Sequence, residues 1–316
     1  MKDVKVSVVM ITYNHEAFIE EALQGVLMQQ CDFPLELIIA NDHSTDQTHE
    51  VIEGLLKATT LPNHITIHNH YHSQNKGMMS NFIWALKQAK GNYIAICEGD
   101  DYWTDPLKLQ KQVDLMEANE NYAGCFHNAV IINSETNNET PFLKDDISQT
   151  TFKTKDLFEK WLVPTASFMF KNRWDNFVLT KSLPEWITSI GSGDLALILF
   201  VSLRGSIKRI EDNMCIYRRH SGGLTSDRAG DPIQFLILGH MYYNFNRETE
   251  GLFIDDIKKG FDVKLKAFYD QYFKSLYEKK QNKKVLYSKS KIYEQLGAKK
   301  IVSLMFYAIN KKLFRR

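Results

Sequence analysis

Between Val4 and Ile132 the apolar positions fall into short blocks that alternate in kind. Val4 to Ile11 alternates little and is rich in valine, which suits a central strand. Ile19, Leu23, Val26 and Leu27 then recur at the spacing of one helix face. Leu35 to Ala40 is a second buried strand. Val51, Ile52, Leu55 and Leu56 give the next helix an apolar side, and Ser44 with Gln47 forms a capping-box pattern ahead of it. His64 to His70 predicts a third strand, Met78 to Lys90 a helix, and Tyr93 to Cys97 a fourth strand. Asp105-Pro106 marks a helix start with proline at its first position, and Leu109, Val113 and Met116 form its stripe. Tyr122 to Ile132 predicts another strand. Strands alternating with helices predict an α/β fold, a mostly parallel sheet with helices on both faces.

Beyond Ile132 the pattern changes. Asn133 to Gln149 is polar and acidic and predicts a loop. Ala166 to Phe170 predicts a strand, Leu195 to Leu203 an apolar helix closed by Gly205, and Met214 to Tyr217 a short strand. From about Asp231 onward the chain reads as helical and increasingly basic. The expected organisation is a first domain over residues 1–230, with halves at about 1–132 and 133–230, and a helical C-terminal extension over 231–316. No internal repeat is visible.

The 316 residues are 44% hydrophobic and 12% aromatic, enough for a sizeable core. A net charge of +1 gives no electrostatic case for nucleic acid. Cys31, Cys97, Cys125 and Cys215 stand far apart, which argues against a disulfide scaffold or a zinc ribbon and fits a reducing cytosol. A strand pattern begins straight after Met1, so no signal peptide is expected, and no apolar run approaches the ~20 residues that span a bilayer. The expected setting is cytoplasmic.

The densest chemistry follows the fourth strand. There the apolar run stops at Glu98-Gly99-Asp100-Asp101-Tyr102-Trp103, with three carboxylates in four positions. Like charges this close repel. A solvated acidic turn is one answer. A divalent cation, Mn²⁺ or Mg²⁺, shared with a substrate phosphate is the other, and the buried strand in front favours it. The first strand ends in Thr12-Tyr13-Asn14-His15-Glu16 and the second in Asn41-Asp42-His43-Ser44-Thr45-Asp46. A parallel sheet brings all three ends to one edge, where open α/β sheets bind their ligands. No Gly-x-Gly-x-x-Gly follows the first strand and no P-loop occurs.

Together, Val8-Val9-Met10-Ile11-Thr12-Tyr13-Asn14, Asn41 to Asp46 and Glu98 to Trp103 resemble glycosyltransferase family 2, the inverting enzymes with the GT-A fold. The likeness covers residues 4 to about 135 and continues more weakly to about 225. It implies a Rossmann-like GT-A sheet, a nucleotide-sugar donor (usually a UDP-sugar), a divalent metal, and a saccharide or lipid-linked acceptor in bacterial surface polysaccharide or glycolipid assembly. By the same resemblance, Thr12, Tyr13, Asn14 and Glu16 line the nucleotide pocket and Asp42 accepts a hydrogen bond from uracil. Gly77 and Asn81 match a glycine and an asparagine ahead of the fourth strand. Glu98 and Asp100 flank Gly99 at the two ends of the family's Asp-x-Asp motif, with Glu where the family has Asp. Asp100 is the first expectation for the metal and Asp101 the second. His220, in Tyr217-Arg218-Arg219-His220-Ser221-Gly222-Gly223, approaches metal or diphosphate, and Arg218 or Arg219 pairs with phosphate. The catalytic base would be an acidic residue opening a later helix. Asp194, after Gly191-Ser192-Gly193, fits that context better than Glu185 or Asp175.

Plainer roles exist for most of these residues. Thr12 and Asn14 are types that cap helices, Asp42 a type that forms turns, and Asp194 an ordinary N-cap. Asp46 reads simply as an acidic residue in the first turn of a helix. His68, His70 and His72 alternate on one strand face, but no Cys, Asp or Glu nearby completes a zinc set, so they read as an exposed edge. Lys299 to Lys312, with Arg315 and Arg316, is amphipathic and basic at its ends; it reads equally as a peripheral membrane contact or as a packed terminal helix. Two rivals stand beside the transferase reading. A nucleotidyltransferase would need a glycine-rich phosphate loop where Thr12-Tyr13-Asn14 stands. A non-catalytic sugar- or nucleotide-binding module would have no use for both the acidic cluster and Asp194.

Overall fold

The computed structural model describes residues 3–143, 147–159, 161–174, 177–189, 193–223, 241–242, 244–245 and 247–249. Asp175, Gly191, Ser192 and the basic run from Lys299 lie outside them, as does most of the expected extension over 231–316. The chain divides into two compact units, Met1–Thr188 with Leu197–Gly223, and Ser189–Ala196 with Leu224–Arg316.

The first unit is built on β1 (Val6–Thr12), α1 (Ile19–Leu27), β2 (Leu35–Asn41), α2 (Thr48–Ala58), β3 (Ile65–Tyr71), α3 (Met78–Gln88) and β4 (Tyr93–Ile96). Then come β5 (Tyr102–Trp103), α4 (Lys108–Glu117), β6 (Tyr122–Asn133), β7 (Glu139–Pro141), β8 (Thr151–Phe152), α5 (Thr154–Glu159) and β9 (Met169–Lys171). A short ribbon, β10 (Arg173–Trp174) and β11 (Phe177–Val178), precedes α6 (Leu179–Ser182), α7 (Gly193–Ser202), whose residues up to Ala196 belong to the second unit, and β12 (Ser206–Arg219). The main sheet runs β3-β2-β1-β4-β9-β6-β12-β5, with β7 on β6 and β8 on β12. β1 pairs in parallel with both β2 and β4, and β6 with β12, while β9 runs antiparallel between β4 and β6.

This order puts a topological switch between β1 and β4. Their carboxyl ends lead to different connections, the position at which open α/β sheets bind their ligands. Both strands are buried at every position, as their continuous apolar pattern demands. Val6, Val8 and Met10 on one face pack with Ile19, Leu23 and Val26 of α1, Ile52 of α2 and Leu109, Val113 and Met116 of α4. Each such side chain contributes about 1.5–3 kcal/mol relative to exposure. α3 packs on β1 and β2. Lys108, at the start of α4, is fully buried with its ammonium 3.9 Å above the Trp103 ring and 2.7 Å from Gln112 Oε1. Burial holds its pKa down at about 8.

Several sequence expectations shift. The strand expected over Met214 to Tyr217 is the end of a much longer β12, whose exposed Glu211-Asp212-Asn213 stretch carries register irregularities against β6. Within Ala166 to Phe170, Thr165–Ser167 is a 3₁₀ turn, closed by Ser167 Oγ on the Pro164 carbonyl at 2.6 Å, and only Met169–Lys171 is strand. The polar stretch after Asn133 contains β7, paired back on β6. The capping box does not form: α2 starts at Thr48, and Asp46 ahead of it takes the Thr48 N–H and hydroxyl at 3.0 and 2.6 Å. His72 lies beyond β3 and is buried, because its Nε2 meets Asn81 Oδ1 at 2.9 Å.

α1 crosses β5 closely at Gly25, where an added Cβ would stand 2.8 Å from Trp103 N and 2.9 Å from Trp103 O. Gly54 in α2 has nothing within 4 Å of that position. Gly25→Ala should therefore destabilise by about 1–3 kcal/mol, an overpacking cost. Gly54→Ala should stabilise by about 0.5–1 kcal/mol through helix propensity alone. Denaturant unfolding of both variants checks this; equal effects would mean that α1 has room to move off β5.

Candidate active site

The acidic loop is held from both sides. Past the end of β4, Cys97 N–H bonds to Val9 O at 3.1 Å and Gly99 N–H to Ile11 O at 2.9 Å, so Glu98-Gly99 prolongs the pairing with β1. The chain then turns, Asp101 N–H on Glu98 O at 3.1 Å, and enters β5. β5 pairs antiparallel with β12 through Cys215 and Trp103, and through Ile216 and Tyr102. Asp100 thus stands on the connection between β4, in the middle of the sheet path, and β5 at its end.

From this bridge the two aspartates point to different surroundings. Asp100 Oδ2 lies 3.3 Å from His220 Nε2 and 3.9 Å from His15 Nε2, and its side chain is 25% exposed. Asp101 is buried, and its Oδ1 accepts the Arg218 N–H at 2.9 Å. Burial, reinforced by the charge of Asp100, pushes the Asp101 carboxyl well above the usual range. Burial acts upward on Asp100 too, but the His220 hydrogen bond and the positive field of both imidazoles leave it lowered. Burial also lowers His15, which favours its neutral form. Arg218 donates from NH1 to the Asp100 carbonyl at 2.8 Å and from NH2 to Glu21 of α1, and its guanidinium lies 4.2 Å from the Tyr102 ring centre and 5.4 Å from that of Phe18. This buried arginine braces the loop through two of its five N–H donors. Arg219 is exposed.

At the neighbouring strand ends the loops after β1 and β2 lock into each other. Asn14 N–H bonds to Ser44 Oγ at 3.0 Å, and Asn14 Oδ1 accepts Thr45 N–H at 2.8 Å. Glu16 N–H meets Asp46 Oδ2 at 3.1 Å, while Glu16 Oε2 accepts Gln47 N–H at 2.8 Å. Asn14 and His43 both adopt positive φ, 56° and 62°, the conformation that side chains at strained functional loops adopt at a cost. Neither Thr12 nor Asn14 caps α1, whose N-cap is Phe18 without a side-chain bond. Asp42 is buried at the end of β2, with Oδ1 on the Lys76 N–H at 2.8 Å. Tyr13 is 43% exposed at the same edge, a ring free to stack. Gly77 has φ +84° at the N-cap of α3, and Asn81 ties α3 to Ala40 O at 2.8 Å and to His72. Glu98 is partly buried. Asp194 lies in the first turn of α7, partly buried, and Glu185 opens a short 3₁₀ turn.

Asp100, His220, Thr12 and Gly99 thus lie at one sheet edge, with Tyr13 just past Thr12 and Asp42 at the next strand end. Two features escaped the sequence reading. His15 follows the first strand with no local sign that its imidazole faces Asp100. β5, with only Tyr102-Trp103, is too short for any periodicity to reveal. Among the described residues no three His, Cys, Asp or Glu side chains are already assembled as a metal cage, and no helix is long and apolar enough to cross a membrane.

Comparison with known proteins gives a consistent set. The description "Glycosyl transferase family 2" matches residues 7–178. Uncharacterized protein Rv1520 of Mycobacterium tuberculosis is 31% identical over 236 residues, covering 72% of this chain; the chain spans 63% of that relative's length. S. aureus TarS 1-349 in complex with UDP-GlcNAc superposes with a TM-score of 0.62 at 18% identity, over 86% of this chain and 73% of that one. Mannosyltransferase PcManGT from Pyrobaculum calidifontis, in complex with GDP-Man and Mn²⁺, gives 0.60 at 16% identity, over 100% of this chain and 90% of that one. At these identities the two structures establish the shared α/β GT-A fold.

The bracing by Arg218 is open to direct measurement. Arg218→Lys cannot reach both the Asp100 carbonyl and Glu21, and should cost about 2 kcal/mol, the scale of a hydrogen bond to a charged group. Glu21→Gln, on a side chain 57% exposed, should cost under about 1 kcal/mol. Equal losses in thermal unfolding would place the stabilisation in the surface pair and not in the hold on Asp100.

Proposed function

The chain belongs to glycosyl transferase family 2, and on that premise we propose that it transfers a sugar, with inversion, from a nucleotide-sugar donor to an acceptor hydroxyl with the help of a divalent cation. The observation that carries the reading is the pairing of Asp100 with His220 at the sheet edge where β1 and β4 end. A carboxylate oxygen beside imidazole nitrogen is a donor set that suits Mn²⁺ and accommodates Mg²⁺ when phosphate oxygens and water complete the shell. Asp100 and His220 would hold the ion, which when bound would neutralise charge on the departing diphosphate. Asp101, turned inward, would act by fixing the β12 end that carries His220.

The nucleotide falls to the neighbouring loops. Asp42 would accept from the base, Tyr13 would stack on it, and the interlocked Asn14 and Glu16 would keep that platform rigid, so that little ordering entropy is lost on binding. Gly77 and Asn81 would hold the start of α3 and so the Lys76 segment against Asp42. Glu98 would stand at the sugar side of the loop. A UDP-sugar is the donor favoured here, by the resemblance around Asp42 and by the UDP-GlcNAc bound to TarS; the GDP-Man and Mn²⁺ bound to PcManGT support the class of donor and the cation. Asp194 would take the acceptor's proton as general base. The acceptor would be a saccharide or a lipid-linked sugar, with catalysis carried by residues 1–230 and the basic C-terminal segment touching an anionic membrane.

Two carboxylate-to-amide variants separate these roles. Asp194→Asn should bind UDP-sugar with Mn²⁺ as the wild type does, while kcat falls by about 10²–10⁴, the range for losing a general base. Asp100→Asn should lose the Mn²⁺ dependence of donor binding itself. In the first turn of α7 a merely structural Asp194 would lose only a favourable charge at the helix start, about 0.3–1 kcal/mol of stability, so an Asp194→Asn enzyme with kcat within a few-fold of wild type would send the search to Glu185 or Asp175. Unchanged Mn²⁺ dependence in Asp100→Asn would remove the cation from this loop.

A further inference from the structure

We propose that His15, in the loop between β1 and α1, is an additional protein ligand of the cation at Asp100, and that the Thr12 hydroxyl sets its tautomer. The inference rests on the reading of Asp100 and His220 as the cation site and adds a residue that reading does not use. His15 Nε2 and His220 Nε2 approach the same oxygen, Asp100 Oδ2, at 3.9 and 3.3 Å. Their rings stand edge to face, 6.2 Å apart at 89°. At 3.9 Å the His15 contact is too long for a hydrogen bond. An ion seated on Asp100 would join it to the site through a shorter bond.

The other side of the His15 ring supplies the second argument. His15 Nδ1 is buried without a hydrogen-bond partner among the described residues, and so is Thr12 Oγ1. Orphaned polar atoms of this kind are costly. Both crowd the same point beside Gly99: a Cβ there would stand 2.8 Å from Thr12 Oγ1 and 3.0 Å from His15 Nδ1. The two are complementary, an imidazole N–H that donates and a hydroxyl oxygen that accepts. A hydrogen bond between them, direct or through one water, would satisfy both. With the proton on Nδ1, the lone pair of Nε2 faces Asp100, the tautomer a metal-binding histidine needs and the support such histidines usually have. Gly99 makes the arrangement feasible, since any side chain there would fill the gap. The loop that carries the ring is fixed, with His15 N–H on Thr48 Oγ1 at 2.8 Å and His15 O accepting from Phe18 and Ile19 N–H at 2.9 Å each. Two imidazoles beside one carboxylate favour Mn²⁺ and its heavier neighbours over Mg²⁺.

The test uses the full chain with Mn²⁺ and UDP. Pulsed electron paramagnetic resonance counts the imidazole nitrogens coupled to Mn²⁺, and calorimetry measures Mn²⁺ and Mg²⁺ affinity in parallel. Two coupled imidazoles are expected in the wild type, one in His15→Ala and one in His220→Ala. Mn²⁺ affinity should fall by about tenfold or more in His15→Ala, and by about tenfold in Thr12→Val with both nitrogens kept, the scale of losing a ligand's supporting partner. Mg²⁺ affinity should change less. A single wild-type nitrogen that persists in His15→Ala overturns the proposal and leaves the cation site standing. No Mn²⁺ binding by the wild type, or equal binding by Asp100→Asn, overturns the cation site itself. Should His15→Ala fail to fold by circular dichroism, the wild-type nitrogen count and Thr12→Val decide.

Discussion

Two adjacent carboxylates cannot both keep their charge in one dry pocket, and the architecture around Asp100 and Asp101 is organised by that repulsion. The chain separates them. Asp101 turns into the interior, where its carboxyl is driven toward the neutral form and bonded to the Arg218 N–H. Asp100 stays at the sheet edge and keeps its charge, facing His220 and His15. Arg218 is the counterweight. One residue fixes Asp101 through its backbone, the Asp100 carbonyl through its guanidinium, and α1 through Glu21. Its charge lies against the rings of Tyr102 and Phe18, which a guanidinium tolerates better than an ammonium would.

The same economy governs the nucleotide side. Loops at strand ends are usually the most mobile part of an α/β sheet. Here the loops after β1 and β2 exchange side-chain and backbone bonds through Asn14, Glu16, Ser44 and Asp46, and two residues with positive φ are held in place by the result. A platform fixed in this way costs little to order when a ligand arrives. Its position follows from topology alone, because β1 has β2 on one side and β4 on the other, and the three strands end together.

Much of this was legible in the sequence. The Val- and Ile-rich runs of β1, β2 and β4, interrupted only by Ser7 and Glu36, pointed to buried parallel strands, whose polar ends then share an edge. What stayed hidden was hidden for physical reasons. β12 interrupts its apolar pattern where Glu211, Asp212 and Asn213 reach solvent, so only its last third looked like a strand. That Arg218 braces Asp100 and Glu21 could not be read locally, because both partners are distant along the chain. Ser44 and Gln47 carried the letters of a capping box, but Asn14 claims the Ser44 hydroxyl from outside the helix. His72 read as an exposed edge because its partner, Asn81, lies on a different element.

The central claim is that Asp100 and His220 hold the cation on which the donor's diphosphate rests. Crystals grown with Mn²⁺ and UDP, measured on both sides of the manganese absorption edge, test it most directly. The account predicts one strong anomalous peak within bonding distance of Asp100 Oδ2 and His220 Nε2, in contact with the diphosphate. A peak elsewhere, or bound UDP with no peak at Asp100, would contradict it.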